Sequence, residues 1–419
     1  MRRTSIVGKA LVLGADSRSG LSTIRSLGRG GVEIHAASHR YDAITARSRY
    51  LRKYDIVPAY SEGSQDWKTA LTEVIAREHF DLILPTNDMW TTALQRCRAD
   101  FAHAENLYVM SDDAFDILFD KVKTSQLARS LSIPVPDEIL ISRDDQLADA
   151  LSVREFPVVL KPIRSLDERD GGPRRVVCQA SSQADMIRQA SAMLDAGPIT
   201  VQRYVAGHGV GVELLMHNGE PLLMFQHERL HEAFGSGSSY RKGVPLSPQL
   251  VDASLRLLRH IRYTGVAMVE FRVNPETREW VLLEVNARFW GSLPLALAAG
   301  ADFPLALYNL LTRGETDIAQ THHDGIHSRN LSMDLPWYRE TYAAGRHSPA
   351  ATMGLLVDDV LRTASNVARR REKIDTLALD DPAPFLAELA HLTATYRGRL
   401  AARLARRWPG AIKGAPTSQ

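Results

Sequence analysis

Hydrophobic and polar residues alternate along two neighbouring stretches of the chain, residues 266–273 and residues 280–292. Alternation with a period of two predicts β-strands that bury one face. The buried face is expected to carry the apolar positions Ala267, Val269, Phe271, Val273, Val281, Leu283 and Val285. The acidic residues of both stretches then share the opposite, polar face.

The two strands are predicted to form one hairpin that turns about Thr277. Pairing in this register places Val273 opposite Val281 and Glu270 opposite Glu284. Facing carboxylates on neighbouring strands repel each other unless a cation lies between them. Carboxylate oxygens suit Mg²⁺, which keeps further coordination positions for water and phosphate groups.

Two further polar residues extend the same face of the hairpin. Asn286 adds an amide oxygen to the ligand set, and Arg288 adds a planar fork of donors that matches phosphoryl oxygens. A solvated sheet face is the alternative explanation of such a pattern. The strongly apolar continuation over residues 289–300 favours a cleft instead, since it is not surface-like. The hairpin therefore predicts a metal and phosphate site.

The first 110 residues alternate apolar stretches with amphipathic stretches, which predicts an α/β domain with a doubly wound parallel sheet. Strands are expected in KALVLGA, VEIHAAS, DLILPTN and LYVMS, and helices at about residues 21–28, 67–78 and 89–98. Thr86, Asn87 and Asp88 follow a predicted strand at its carboxyl end. Because open α/β sheets bind ligands at that edge, these three residues are candidates for substrate contact.

Residues 111–312 are expected to form a second domain of mostly antiparallel strands, with a smaller lobe at about residues 135–205. A polar, glycine-bearing stretch at residues 164–175 is predicted to be a mobile lid loop. Residues 226–248 leave two alternatives open, a long surface loop or a substrate-binding loop. In the second case Arg229 and Arg241 would pair with a substrate carboxylate.

Residues 313–419 are predicted to be mainly helical, with helices at about residues 350–373 and 384–407 and a basic tail. From Arg362 onward eleven Lys and Arg stand against five Asp and Glu. Basic helices of this kind are commonly solvated, and contact with an anionic membrane surface is the alternative. This charge excess distinguishes the C-terminal region from the rest of the chain.

The composition is that of an ordinary soluble globular protein, with 44% hydrophobic and 24% charged residues among 419. The net charge of +2 gives no reason to expect a nucleic-acid partner. Two cysteines form no disulfide framework, which fits a reducing, cytoplasmic compartment. No transmembrane span is expected, and a homodimer is compatible with the sequence.

The order of these polar residues along residues 10–312 resembles the ATP-grasp superfamily. The resemblance depends on Lys121, Lys161, residues 202–205, Glu270 and the motif Glu284-x-Asn286-x-Arg288. Biotin carboxylase, D-alanine ligase and the large subunit of carbamoyl phosphate synthase are members of this superfamily. The sequence LLEVNARFWGSLPLALAAGADFP is most similar to the carboxylate-amine ligase branch, within a wider group that includes the carbamoyl phosphate synthase large subunit.

The resemblance implies a two-lobed nucleotide site and assigns a role to each matching position. Lys121 and Lys161 would contact the nucleotide phosphates, and Lys161 and Arg288 would act on the transferred phosphoryl group. Glu213 would contact the ribose, with a solvated position on a strand face as the equal alternative. The linker whose backbone holds adenine would be Gln202, Arg203, Tyr204 and Val205. The metal ligands would be Glu270, Glu284 and Asn286.

The implied activity is that of an ATP-dependent ligase with Mg²⁺, or alternatively Mn²⁺, as cofactor. It would activate a small carboxylate as an acylphosphate that an amine then attacks. A bicarbonate-activating enzyme similar to carbamoyl phosphate synthase or to carboxylases is one alternative, and a non-catalytic nucleotide-binding protein is another. The lid is less glycine-rich than in many members of the superfamily, since its glycines are Gly171 and Gly172 beside Arg174 and Arg175.

Overall fold

The computed structural model describes residues 7–143, 155–166, 177–233, 237–343 and 349–407. Over these ranges the chain is of the mixed α/β class, as expected, and its strands form three sheets. The strands are β1 (Gly8–Leu13), β2 (Val32–Ser38), β3 (Leu51–Ile56), β4 (Leu82–Pro85), β5 (Glu138–Ile141), β6 (Val158–Pro162), β7 (Cys178–Ala180), β8 (Ile199–Arg203), β9 (His208–His217), β10 (Glu220–Ala233), β11 (Gly237–Gly243), β12 (Gly265–Val273), β13 (Trp280–Asn286), β14 (His327–Arg329) and β15 (Glu372–Ile374).

Helices cover the sheets and form most of the C-terminal region. They are α1 (Arg18–Arg29), α2 (Asp66–Arg77), α3 (Asp88–Cys97), α4 (Asp112–Leu118), α5 (Lys121–Ser130), α6 (Gln183–Leu194), α7 (Pro248–His260), α8 (Leu293–Ala299), α9 (Phe303–Arg313), α10 (Leu331–Ala343), α11 (Pro349–Ala368) and α12 (Ala383–Arg407). Within the described ranges no single helix is long and apolar enough to cross a membrane. Helices α8 and α9 meet that test only as a pair, with a bend of 88° between them.

The N-terminal sheet is parallel, in the order β3-β2-β1-β4, which confirms the predicted alternation of strands and helices. Strand β3 was not predicted, because its residues are only partly buried and their apolar pattern is weak. The strand expected in LYVMS is reduced to a single bridge between Leu107 and Ile83. Ser17 begins α1 as its N-cap by accepting a hydrogen bond from the amide of Gly20, and this turn directs the loop after β1 toward the cleft described below.

The small lobe is an antiparallel sheet in the order β5-β8-β6-β7, backed by helix α6. Its core is apolar and separate from the other cores, with Leu160, Met186 and Val201 among its buried members. Strand β6 ends in Lys161 and Pro162, so the lysine leaves the apolar part of the strand at its end. This sheet therefore carries Lys161 on one strand and the linker residues on the next.

The central sheet has seven strands in the order β13-β12-β9-β10-β11-β14-β15. Residues 226–248, expected to be a loop, instead contain all of β11 and the second half of β10. The C-terminal region, expected to be mainly helical, contributes the short strands β14 and β15 to this sheet. Apolar side chains on both faces of the sheet pack into two cores, with Leu215 and Val266 in one core and Val212 and Val269 in the other.

The β12–β13 hairpin has the predicted pairing at its acidic residues and a different pairing beyond them. Glu270 lies opposite Glu284, as expected. A β-bulge then shifts the register, so that Phe271 pairs with Leu282 and Val273 with Trp280 rather than with Val281. The bulge turns Leu282 into the core and leaves Leu283 lining the cleft, so the expected apolar face is wrong at Leu283.

Buried hydrogen bonds connect the C-terminal region to the N-terminal sheet. Asp381 accepts hydrogen bonds from Arg25 Nε at 2.9 Å, from Ser48 Oγ at 2.7 Å and from the amide of Arg49 at 2.9 Å. Helix α12 packs against residues 44–47 of the same domain. Residues close to the two ends of the described chain therefore stabilise each other.

Candidate active site

A cleft of about 1340 Å³ opens between the small lobe, the central sheet and the carboxyl ends of the N-terminal strands. Most of the residues assigned from the resemblance line it. These are Lys161, Gln202, Arg203, Tyr204, Val205, Glu270, Glu284, Asn286 and Arg288. Lys121 lies beside the cleft in an adjoining small cavity that Glu284 and Asn286 also line. Of the assigned residues, Glu213 does not line it.

The two acidic residues of the hairpin are each neutralised by a cation from another element. Glu270 Oε2 accepts a hydrogen bond from Arg229 on β10 at 2.5 Å. Glu284 Oε2 lies 3.5 Å from Lys121 Nζ at the start of α5. Asn286 Nδ2 donates to Glu284 Oε1 at 3.1 Å. Two carboxylates in direct register are thus held together by positive charge from two sides.

These side chains fit the requirements of a hard divalent cation. Glu270 and Glu284 offer carboxylate oxygens from neighbouring strands, and Asn286 keeps its amide oxygen available because its nitrogen makes the contact with Glu284. Oxygen ligands of this kind are those that Mg²⁺ takes, with its remaining positions filled by water and phosphate. Arg229 and Lys121, which contact these carboxylates, show that positive charge is favoured between Glu270 and Glu284.

Lys161 is placed where its own charge is unfavourable. Burial, followed by repulsion from Lys121, lowers the pKa of Lys161 below its usual 10.5, although Glu284 and Glu270 oppose that shift. A lysine at the end of an apolar strand, beside a second lysine, gains most from an anionic ligand. The pair of lysines therefore forms a position prepared for phosphate groups.

Arg288 is held by Asp88, the first residue of α3 in the N-terminal domain. Arg288 Nε donates to Asp88 Oδ1 at 2.8 Å and a terminal nitrogen donates to Oδ2 at 3.1 Å. Burial alone would lower the pKa of Arg288, but the adjacent carboxylate of Asp88 outweighs it and the pKa is raised. The two-point contact fixes the guanidinium plane at the wall of the cleft.

The linker between the lobes lies at the end of β8, and all four of its expected residues line the cleft. Gln202 is buried and donates through Nε2 to Glu138 Oε2 at 2.9 Å, whereas Arg203 is exposed. Gly207 follows with a φ of +133°, and a Cβ there would lie 2.2 Å from the carbonyl oxygen of Val273. Only glycine allows the linker to approach β12 so closely.

Glu213 is fully buried on β9 and pairs with His227 on β10, with 2.5 Å between Oε1 and Nδ1. Burial raises the pKa of Glu213 well above its usual range, and burial together with nearby Arg229 lowers the pKa of His227. A neutral pair, in which the acid donates to Nδ1, is the consistent arrangement. Glu213 is thus a support for His227, and the ribose contact expected for it does not fit its position.

Arg241 is buried and makes a two-point contact with Asp375, at 2.6 Å to each carboxylate oxygen. It therefore connects β11 to the segment that follows β15, and because it also lines the cleft, its expected pairing with a substrate carboxylate stays a prediction. Arg229, its neighbour across the β10–β11 ladder, contacts Glu270, one of the predicted metal ligands. Both arginines line the cleft, and each is held there by a carboxylate of another element.

The candidate contacts after β4 also have structural roles. Thr86 Oγ1 donates to the carbonyl oxygens of Leu13 and Gly14 at 2.9 Å, and Asn87 caps α3 by accepting from the amide of Trp90 at 3.0 Å. Both residues still line the cleft. Of the predicted lid, residues 164–166 are described, whereas residues 167–176, with Gly171, Gly172, Arg174 and Arg175, lie outside the described ranges.

Sequence reasoning missed two relationships in this site. The orientation of Arg288 by Asp88 joins residues 200 positions apart, and no local pattern signals it. The contact of Arg229 with Glu270 was missed because residues 226–248 were interpreted as a loop. The available signal was the two-residue spacing of His227, Arg229 and His231 directly after the apolar run 222–225, since strand residues two apart share a face.

The fold, and the sequence of residues 195–333, are similar to those of ATP-grasp proteins, which confirms the resemblance drawn from the sequence. Residues 195–333 match the sequence model of a family described as ATP-grasp in the biosynthetic pathway with Ter operon. This segment runs from the last strand of the small lobe to the start of α10 and includes the whole β12–β13 hairpin.

Among curated proteins, the chain is similar to the carbamoyl phosphate synthase large chain of Methanobrevibacter smithii. The two are 24% identical over 255 residues, which is 56% of this chain and 23% of that one. The matched part spans less than a quarter of the length of the curated relatives.

Among solved structures, the fold is similar to N5-carboxyaminoimidazole synthetase from Staphylococcus aureus. The TM-score is 0.60 with 13% identity, over 82% of this chain and 88% of that one. It is also similar to L-amino acid ligase from Bacillus licheniformis, with a TM-score of 0.56 and 15% identity, over 74% of this chain and 75% of that one. At 13% and 15% identity, this similarity shows that the fold is shared and no more.

Proposed function

We propose that the protein is an ATP- and Mg²⁺-dependent ligase that activates a small carboxylate as an acylphosphate for attack by an amine. The observation that carries this proposal is the arrangement at one end of the cleft. Glu270 and Glu284 face each other there in direct register, with Lys121 beside them. Lys161 and Arg288 line the same cleft.

The geometry suits phosphoryl transfer because that reaction depends on position and charge neutralisation rather than on covalent help from the protein. Glu270, Glu284 and Asn286 would hold Mg²⁺, or alternatively Mn²⁺, which neutralises charge on the phosphate oxygens when bound. Lys121 and Lys161 would bind the phosphates, and backbone groups of residues 202–205 would bind adenine. The small lobe and the lid would exclude water that hydrolyses an acylphosphate.

Arg288 is the residue proposed to act on the transferring phosphoryl group. Its guanidinium is already oriented by Asp88, so it loses little conformational freedom when a ligand arrives. Lys161 would regain a favourable environment once its charge is compensated by phosphate, because burial and Lys121 now disfavour that charge. Both residues are therefore prepared for an anionic ligand before it binds.

An amine as the second substrate is supported by similarity to the L-amino acid ligase and by the size of the cleft, which continues beyond the acidic pair to Arg18, Asn330 and Trp337. Activation of bicarbonate is the second candidate, supported by similarity to carbamoyl phosphate synthase large chains. We further propose that the enzyme works in the cytoplasm, where ATP is available and where Cys97 and Cys178 remain reduced.

The experiment combines ATP and Mg²⁺ with a panel of carboxylic acids, and bicarbonate as a separate arm, in the presence and absence of amines. ADP release that requires an organic acid, together with trapping of the acylphosphate by hydroxylamine as a hydroxamate, supports the ligase. Turnover that requires bicarbonate alone supports the second candidate. Tight ATP binding without turnover in any arm would contradict both and indicate a non-catalytic nucleotide-binding protein.

A further inference from the structure

Helix α11 has its polar face turned toward the protein. Asp359 and Asn366 are buried, and Thr363 is partly buried. Thr363 Oγ1 accepts from Arg329 at 2.9 Å, and Asn366 Nδ2 donates to the hydroxyl oxygen of Tyr240 at 3.2 Å. Asp359 Oδ1 lies 3.4 Å from His231 Nε2. Hydrogen bonds and ion pairs, rather than apolar packing, thus attach this helix to the central sheet.

The apolar face of the same helix is turned away from the protein. Val360 and Leu361 are 64% and 63% exposed, and further exposed apolar side chains on this helix are Met353, Leu355, Val357 and Val367. Gly354 also lies in open space, since nothing is within 4 Å of a Cβ placed there. Scattered exposed leucines are ordinary on a protein surface, but a contiguous exposed stripe of this length marks an interaction site.

The stripe has the spacing of a helix-to-helix contact. Its positions Met353, Val357, Val360, Ala364 and Val367 are separated by four, three, four and three residues. That is a heptad pattern, which presents a narrow straight seam to a partner helix. A surface that only needed to be apolar would not require this regularity.

The seam is complementary to itself when two copies run antiparallel. With Val357 of one copy opposite Val360 of the other, Met353 lies opposite Ala364, so a large side chain meets a small one on either side of the two-fold axis, and Val367 lies opposite position 350. The flanking position Leu361 then lies beside Gly354 of the other copy, where there is open space. A two-fold interface needs this self-complementarity, because each contact must occur twice.

We propose that this face of α11, which we call the α11 seam and which comprises Met353, Val357, Val360, Leu361, Ala364 and Val367, is the interface through which two copies of the chain form an antiparallel dimer. An anionic membrane is the less suitable occupant, because helices that lie on membranes carry cations along their polar flank. On α11 the charges within the described side chains are Asp358, Asp359 and Arg362, and Arg362 contacts Asp359 at 2.6 Å.

The area is sufficient for a specific contact. Six aliphatic side chains that are each about half exposed cover on the order of 500 Å² per copy, or about 1,000 Å² for the pair, which is the lower size of a stable interface. The polar face of α11 contacts the protein, which explains why the helix does not rotate about its axis to bury its apolar stripe against its own chain. Asp359, Thr363 and Asn366 would lose their partners if it did.

The first test is the mass of the full chain in solution by light scattering after gel filtration, at about 50 μM. The wild-type protein is expected at twice the chain mass of 46.5 kDa. Val360→Glu is expected to shift it to the monomer, because two buried carboxylates would lie close to the two-fold axis. Ser365→Glu is the matched control, since Ser365 is exposed on the same helix but lies outside the seam. Circular dichroism checks that both variants keep their helices.

The second test measures the register. When a Met353→Cys chain is mixed with an Ala364→Cys chain under mild oxidation, a disulfide between the two copies is expected. Neither variant alone should form one at its new cysteine, because identical positions in this register lie about 16 Å apart along the helix axis. Peptide mass spectrometry separates this bridge from any that involve Cys97 or Cys178.

Three outcomes would overturn the proposal. These are a monomeric wild-type protein, a dimeric Val360→Glu variant, and binding of wild-type monomers to phosphatidylserine vesicles.

Discussion

Arg288 and Asp88 form a two-point ion pair across the cleft, although they are 200 residues apart in the chain. The pair connects the end of the β12–β13 hairpin to the first turn of α3, so the N-terminal domain determines the orientation of a residue in the proposed phosphoryl-transfer site. Correct orientation of such a group contributes to rate rather than to nucleotide affinity.

Asp88→Asn tests this role. The variant keeps the shape of the side chain but removes the charge that holds the guanidinium, so Arg288 loses its fixed orientation. We expect the rate of acid-dependent ADP release to fall about 10- to 100-fold, while the Kd for ATP, measured calorimetrically, changes less than threefold. Equal losses in rate and in ATP affinity would instead indicate that Asp88 supports nucleotide binding.

Glu284→Gln tests the metal site. Glutamine preserves the shape of the side chain but removes the negative charge that a divalent cation requires, so Mg²⁺-dependent ATP turnover should fall at least 100-fold. The contact with Lys121 is partly solvated at 3.5 Å, so stability should change by less than about 1 kcal/mol. Glu276→Gln, in the exposed turn of the same hairpin, is the control and should have full activity. Normal turnover in the Glu284 variant would exclude the assignment.

Lys161→Met is expected to increase the stability of the protein and to weaken its binding of ATP. Because burial and Lys121 lower the pKa of Lys161, the unfolded chain binds that proton more tightly than the folded chain does. The free energy of unfolding of the wild type should therefore rise with pH toward 10.5, and the variant should lack this rise. At neutral pH the variant should be more stable by ~0.5–2 kcal/mol in urea titrations, yet bind ATP much more weakly. A destabilised variant would show that Lys161 is already compensated in the absence of ligand.

Arg241→Ala distinguishes a structural arginine from a substrate ligand. Removing Arg241 leaves the buried carboxylate of Asp375 with Ser328 and the more distant Arg18, at 3.6 Å, as partners, which costs up to about 3 kcal/mol. We expect a lower midpoint of thermal unfolding, and a smaller loss when Asp375→Asn is combined with it, since the two residues act as one unit. An unchanged midpoint with a raised KM for the acid would return Arg241 to the role of substrate contact.

The acidic register of the hairpin could be predicted because alternation and a short connection leave few ways to pair Glu270 with Glu284. The bulge beyond them could not be predicted, because Leu282 and Leu283 are the same residue type and the pattern cannot tell which one is buried. Strands β1, β2 and β4 of the parallel N-terminal sheet could also be predicted, since they are mainly apolar, whereas the mostly polar sequence of β3 gave no such signal.

The periodicity of the sequence could not predict the strands at the edge of the central sheet. Strands β14 and β15 have three residues each, and β14 is the buried polar sequence His327–Arg329. Its burial is made possible by partners from distant segments, such as Asp375 for Ser328 and Asp334 for Arg329. The Gly-Ser-rich sequence near Gly237 likewise indicated a loop, whereas neighbouring strands hold it in the sheet. The boundaries of the domains remain predictions.

The contacts of Asp381 with Arg25, Ser48 and Arg49 have a consequence for how the chain is made. A ribosome releases the N-terminal sheet first, but the carboxylate that satisfies Arg25 is synthesised more than 300 residues later. Asp375, the partner of Arg241 on the central sheet, is likewise synthesised 134 residues after that arginine. Arg25 and Arg241 therefore lack these partners until residues 375–381 have been synthesised, and the cleft, which Arg241 lines, reaches its final shape only after that.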